Sequence, residues 1–438
     1  MSKRIWTRFA LFGAVAALAA GIPATRMHWA VAQTAAADEA PWAATQALVE
    51  SYVSSGKIPG GVISVGRKGE APFYAAAGTI AAEAGAPRAD ENSLWRIYSM
   101  TKPITGIAAM ILVEEGKLDL DQPISDFIPA FKDMKVLVDP EKSLESRPAA
   151  RPITVRHLLT HTAGLGYTII TKGPLLDEYN RLGITPGAIS AALEIGARPA
   201  RPASLAAFAD RLATLPLIAD PGTKWSYSVS MDLLGRVIEV ASGMRFDSFL
   251  QTRLFGPLDM SSTWFTVPAA EAPRLSTNYF WAGANRLPVD PGAGSLWLSP
   301  PSFPYGGAGL VSSARDYDRF LAMLLGGGEL DGVRVLKPET VALAMSNLLP
   351  AGADTSLLNA MSGRGATLGF GAGGSVYLGD VAGGPGKGTY GWAGAAGTVG
   401  WVDPARGIRG TIMVNYFPSD QFPLRTEATK AIYGEPGR

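Results

Sequence analysis

The order of elements predicts an α/β (α+β) fold in which one antiparallel sheet, flanked by helices, is built from both termini and a mainly helical lobe is inserted between them. Three observations carry this. Two strand-like runs near the start, Gly61 to Gly66 and Pro72 to Gly78, are joined by the turn Arg67-Lys68-Gly69-Glu70. Two more near the end, Gly397 to Val402 and Gly410 to Tyr416, flank the turn Asp403-Pro404-Ala405-Arg406-Gly407. Between them the apolar spacing is mainly that of helices. The implied divisions are an α/β lobe over about 41–95 and 306–435 and a helical lobe over about 96–305.

Pro41 to Ser55 reads as an amphipathic helix with Leu48, Val49, Tyr52 and Val53 apolar, stopped by Gly56. After the hairpin, an apolar segment becomes a helix within Trp95-Arg96-Ile97-Tyr98-Ser99-Met100-Thr101-Lys102-Pro103-Ile104-Thr105. That helix runs through Ile107, Met110, Ile111 and Leu112 to Gly116. Lys117 to Pro123 opens a loop-rich stretch, and Val136 to Pro152, charged and proline-rich, reads as surface. Ile153 to Leu159 is a short helix leading into Thr160-His161-Thr162-Ala163-Gly164-Leu165-Gly166. A long irregular segment with one helix, Ser204 to Leu217, reaches Pro221-Gly222-Thr223-Lys224-Trp225-Ser226-Tyr227-Ser228. Helices over Met231 to Ala241 and Phe246 to Phe255 follow, and Trp-rich and Pro-rich loops from Trp281 to Pro304 can wall a pocket. After Gly306-Gly307-Ala308-Gly309-Leu310, a helix over Ala314 to Leu325 precedes a Gly-rich region; the last helix spans Leu424 to Tyr433.

With 47% hydrophobic and 18% charged residues among 438, the composition is globular, and no internal repeat is present. Lys3, Arg4 and Arg8, the apolar run Phe9 to Ile22 and the small-x-small site Ala30-Val31-Ala32 read as a signal peptide over 1–32. A cut at Ala24 and an uncleaved anchor are the alternatives. The expectation is an exported protein, periplasmic or secreted, without a membrane span once the signal is gone. Removing the signal takes four of 39 basic residues and none of 38 acidic ones, leaving 35 against 38 and no basic stripe for nucleic acid.

The absence of cysteine excludes a cysteine nucleophile, thiolate metal sites, a lipobox and disulfides. Beyond His28 in the signal only His157 and His161 remain, and no Gly-x-Ser-x-Gly elbow occurs. The two histidines stand four apart, as metal ligands can. No Glu follows the first and no third ligand is in view, so a structural role in a pocket loop is expected, with no metal or cofactor.

Ser99 stands three residues before Lys102, so the two side chains share one helix face and can meet in a pocket. Serine is a poor nucleophile unless a neighbour takes its proton, and a desolvated lysine can take it. The positive end of the helix dipole also favours an anion there. Alone, the pattern better fits a capping serine before a surface lysine. A second copy, Ser54 to Lys57, reads as chance.

The flanking blocks decide between these readings. Tyr98-Ser99-Met100-Thr101-Lys102-Pro103, His157-Leu158-Leu159-Thr160-His161-Thr162-Ala163-Gly164-Leu165, Pro221 to Ser228 and Gly391-Trp392-Ala393-Gly394-Ala395-Ala396-Gly397-Thr398 occur in that order. Over about residues 41–435 the chain resembles the serine β-lactamase and penicillin-binding-protein superfamily, and most closely its family VIII carboxylesterases, similar to class C β-lactamases. The resemblance implies a β-lactamase-like fold. It makes Ser99 the nucleophile and puts Tyr227 at the tyrosine of the Tyr-x-Asn motif, where a phenol near a lysine can relay protons. A core tyrosine beside Trp225 is the alternative. It also implies an oxyanion hole from the backbone N–H groups of Ser99 and Ala395.

Two departures matter. Val229 stands for the Asn of Tyr-x-Asn, and Trp392-Ala393-Gly394 for Lys-Thr-Gly. In the lactamases and peptidases those polar residues bind the amide side chain and the carboxylate of the substrate, which Val229 and Trp392 cannot do. With Trp392, Ala393, Gly394 and Val229 as substrate-binding residues, the expectation is a serine carboxylesterase acting on short to medium acyl esters. A β-lactamase, a D-Ala-D-Ala carboxypeptidase or an acyltransferase with the same Ser-Lys-Tyr site are the alternatives. The partner expected is a small-molecule ester, with the oligomeric state open. Asp232 reads as a helix N-terminal residue and Lys387-Gly388-Thr389 as loop.

Overall fold

Strand β1 (Gly60–Arg67) joins the two ends of the chain, because it pairs antiparallel with β2 (Phe73–Gly78) on one side and with Ile408–Met413 on the other. The computed structural model describes residues 42–187, 189–361 and 366–434. The segment read as a signal peptide, residues 1–32, lies outside them. Reading outward from β2, the seven-stranded sheet runs β2, β1, Ile408–Met413, Val399–Asp403, Tyr390–Ala393, Ser375–Tyr377 and Leu368–Phe370, with every pair antiparallel. Seven of the eight β1 residues are buried, as its continuous apolar run requires of a central strand covered on both faces. Val62 enters the larger core, while Ile63 and Val65 enter a second core on the opposite face. Between them the Ser64 and Thr411 hydroxyls meet at 2.9 Å, so neither is buried without a partner.

Helix Ala314–Leu325 packs on the first face of the sheet, and helix α1 (Ala43–Ser54) with the C-terminal helix Leu424–Tyr433 on the second. The larger core continues into the helical part of the chain. There α2 (Thr101–Glu114) buries its first 12 residues and packs along Ser230–Ser242. A helix apolar all round belongs in an interior. Gly106 lets the backbone cross it: a Cβ at this position would lie 2.0 Å from the Ala372 carbonyl oxygen. That contact seats the sheet-side loop Ala372–Gly373 on the helix that carries Lys102.

Several elements differ from expectation. The segment read as irregular before Ser204 holds two further helices, Pro174–Arg181 and Ala191–Ala197. The first buries only Leu175 and Tyr179 and the second nothing, so neither leaves a periodic apolar signal. The Trp-rich loop region contains a hairpin, Asn278–Ala282 with Asn285–Asp290. The strand expected to reach Tyr416 stops at Met413, and Tyr416–Phe417 pairs parallel with this hairpin instead. Surface residues alternate poorly in such edge ribbons, and tertiary pairing decides them. Among the described residues no helix is long and apolar enough to cross a membrane.

Gly106→Ala weighs two effects. Alanine favours a helix by about 1 kcal/mol, whereas overpacking against backbone costs about 1–3 kcal/mol. The clash should win, lowering the urea unfolding midpoint; an unchanged or raised midpoint would contradict the close crossing.

Candidate active site

The nucleophile candidate sits on a strained turn. Tyr98, immediately before it, has φ 44°, in the left-handed region that costs a bulky residue about 1–3 kcal/mol. Packing holds it there: its ring lies edge-on to Trp297 and Phe417, each at 5.5 Å, and its hydroxyl accepts from Asn278 Nδ2 at 2.9 Å. Ser99 lies in the 3-10 turn Tyr98–Met100 and Lys102 in the first turn of α2. Ser99 Oγ is 3.0 Å from Lys102 Nζ and 2.7 Å from the hydroxyl of Tyr227, which arrives on the loop before Ser230–Ser242. The structure thus brings all three predicted residues together within proton-transfer distance of Oγ.

Lys102 is fully buried, and its nitrogen also donates to the Gly307 carbonyl at 2.7 Å and lies 4.5 Å from the centre of the Tyr227 ring. Behind Gly307 stands Asp232, whose carboxylate accepts the Gly307 N–H at 2.9 Å. One residue therefore takes the lysine on its carbonyl and the aspartate on its amide. Burial pushes the Asp232 carboxyl up to about 6, against the opposing pull of the Gly307 hydrogen bond and the Lys102 charge. The sequence placed Asp232 at a helix start, which the first turn of Ser230–Ser242 bears out. Its hold on Gly307 joins residues 75 apart and left no local signal.

Trp392 does more than wall the pocket. Its indole N–H donates to the Tyr227 hydroxyl at 3.1 Å, and its ring packs against Phe370 at 5.2 Å. Ser99, Tyr227, Trp392, Ala393, Gly394 and Ala395 border a cavity of about 480 Å³, of a size suited to a small organic ligand. Ile169, Leu358 and Met361 add apolar lining to it. Val229 does not belong to this wall. It is 2% exposed, donates its N–H to the Gly166 carbonyl and packs at the start of Ser230–Ser242, so the expected substrate contact is corrected to a packing role.

Gly394 is required by close approach, since a Cβ there would lie 2.4 Å from the Ile97 carbonyl oxygen. The end of strand Tyr390–Ala393 is thereby pressed against the turn bearing Ser99. The next residue, Ala395, is exposed and borders the cavity, and its N–H has no acceptor among the described residues.

Both histidines are buried. His157 Nδ1 accepts the Thr154 N–H at 3.1 Å in a reciprocal helix cap, and burial pushes the ring down to about 4. His161 is fully buried, 2.9 Å from Ser228 Oγ and 5.0 Å from the Tyr227 ring; burial and the Lys102 charge hold it well below its usual range. It packs as a neutral ring behind the tyrosine. Among the described residues no group of three or more possible ligands assembles.

Residues 45–433 match the Beta-lactamase family. Esterase EstB of Burkholderia gladioli is 31% identical over 407 residues, covering 88% of this chain and 94% of that protein. The solved structure of EstCE1, described as a hydrolase with promiscuous acyltransferase activity, matches with a TM-score of 0.71 at 26% identity, over 90% of this chain and 98% of that one. Unliganded simvastatin synthase (LovD) from Aspergillus terreus matches with a TM-score of 0.73 at 25% identity over the same shares. Fold and relatives together define a serine hydrolase or acyltransferase of mixed α/β architecture. The chain belongs to the β-lactamase family, and its relatives fit a family VIII esterase of that superfamily.

The raised value of Asp232 has a sign that can be read in stability. Its carboxyl binds a proton more tightly folded, at about 6, than unfolded, at 3.8, so its contribution to stability falls as pH rises through that window and is flat above it. Asp232→Asn should remove this slope while keeping an acceptor for Gly307. Denaturant midpoints from pH 4 to 7 would expose it: a wild-type-to-variant difference independent of pH would contradict the burial argument.

Proposed function

We propose that the protein is a serine carboxylesterase that hydrolyses short to medium acyl esters through an acyl-enzyme on Ser99. The observation that carries this is Ser99 Oγ held between Lys102 Nζ at 3.0 Å and the Tyr227 hydroxyl at 2.7 Å, with an uncharged indole where the lactamases carry a lysine. Ser99 gives its proton to the Lys102–Tyr227 pair as Oγ bonds to the ester carbonyl carbon. The resulting oxyanion is met by the Ser99 and Ala395 N–H groups. On collapse the C–O bond to the alcohol breaks, and the pair returns the proton to the departing oxygen. Water then adds to the acyl carbonyl with the same pair as base, the bond from the acyl carbon to Ser99 Oγ breaks, and the pair returns the proton to Oγ as the acid leaves.

The Trp392 N–H supports the tyrosine oxygen through this cycle without attracting a substrate carboxylate. That favours neutral esters over β-lactams. The name of EstB supports ester hydrolysis, and the acyltransferase activity in the description of EstCE1 supports a second reading, in which an alcohol replaces water as the acceptor.

Steady-state rates on p-nitrophenyl butyrate and nitrocefin test the proposal. Ester turnover should far exceed nitrocefin turnover and drop about 1,000-fold or more in Ser99→Ala. Survival of ester turnover in that variant would remove the nucleophile from Ser99. Rates should decline from butyrate to long-chain esters, and a flat profile would remove the chain-length claim. Trp392→Phe keeps the ring but loses the N–H, so kcat should fall roughly threefold to tenfold with KM little changed; an unchanged kcat would return Trp392 to a wall residue.

A further inference from the structure

The C-terminal helix Leu424–Tyr433 sends Leu424, Ala428 and Ile432 into the core beneath the sheet, while Arg425 and Thr429 border the cavity. Arg425 Nη2 donates to the Gly394 carbonyl at 2.7 Å and to the Thr398 carbonyl at 3.2 Å. These two carbonyls bracket the turn that bears Ala395. The first of them belongs to the same peptide unit as the Ala395 N–H.

A trans peptide is planar, with its C=O and N–H directed oppositely. A donor seated on the Gly394 oxygen therefore sets the direction of the Ala395 N–H. A cation on that oxygen also draws electron density from the amide nitrogen and strengthens its N–H as a donor, as happens along any chain of hydrogen bonds. The far side of the unit is free to receive a ligand, since Ala395 is exposed and borders the cavity and its N–H has no acceptor among the described residues.

The rest of the turn is braced for this. Gly394 N–H donates to the Thr398 carbonyl at 2.8 Å, and Tyr416 N–H donates to the Ala396 carbonyl at 3.0 Å. Burial pushes the Arg425 guanidinium below its usual range, so the charge is kept there at a cost.

We propose that Arg425 is a positioning residue of the oxyanion hole, aiming and polarising the Ala395 N–H through the Gly394–Ala395 peptide. This rests on the esterase reading, in which that N–H meets the ester oxygen. In this role Arg425 acts through the Gly394–Ala395 peptide rather than on the nucleophile or the reacting carbonyl.

The test compares wild type, Arg425→Lys and Arg425→Met in the full chain. It reads p-nitrophenyl butyrate kinetics, thermal unfolding, and the infrared carbonyl stretch of the acyl-enzyme formed with a 13C-carbonyl ester. Loss of oxyanion stabilisation should lower kcat by about tenfold or more in Arg425→Met, less in Arg425→Lys, with KM changed by less than about twofold. The acyl carbonyl stretch should move to higher wavenumber in the same order, a shift that loosened helix packing alone would not produce. Unchanged kcat, or an unmoved stretch in a folded variant, overturns the proposal. If Arg425→Met does not fold, Arg425→Lys decides on the same readings. Wild type without Ser99-dependent ester turnover would instead overturn the esterase reading, and this inference with it.

Discussion

A lysine with no exposed surface must have its nitrogen surrounded by acceptors, because an unmet charge in an interior costs several kcal/mol. Much of the site follows from meeting that need at Lys102. The Gly307 carbonyl, Ser99 Oγ and the face of Tyr227 enclose the nitrogen, and each comes from a different part of the chain. Asp232 secures Gly307 from behind. The same packing that dries the lysine places the serine and the tyrosine where protons can pass among them.

The position expected to carry a lysine holds a hydrogen-bond donor without a charge. Trp392 offers its indole N–H to Tyr227, so the tyrosine oxygen receives a donor. A neutral donor does not attract a carboxylate, and the ring adds apolar surface beside Phe370. Val229 makes the complementary change by leaving the wall and packing under the helix start.

Strain and close contact concentrate where the chemistry is proposed. Tyr98 is held in a left-handed conformation directly before Ser99, fastened by two aromatic neighbours and Asn278. Gly394 presses the opposite strand end onto the Ile97 carbonyl. Neighbouring packing has to over-determine such conformations for them to persist. Here it is supplied by the hairpin at Asn278 and by the core around Trp297.

Much was legible in the chain alone. Helices Ala314–Leu325 and Leu424–Tyr433 were readable at their ends because long amphipathic stretches carry strong periodicity. The β1–β2 hairpin and the late strands were readable from apolar runs between turns. Ser99, Lys102 and Tyr227 stood out because nucleophile and base lie three residues apart and the tyrosine block follows in order. The short helices Pro174–Arg181 and Ala191–Ala197 and the hairpin at Asn278 bury too little to show a period. What only the tertiary structure decided are contacts between residues distant along the chain: Trp392 with Tyr227, Asp232 with Gly307, Arg425 with Gly394 and Thr398. Local residue types determine which groups are present and which way a short segment curls. Which peptide a guanidinium polarises, or which hydroxyl an indole reaches, depends on angles and distances that exist only once the sheet has closed from both ends.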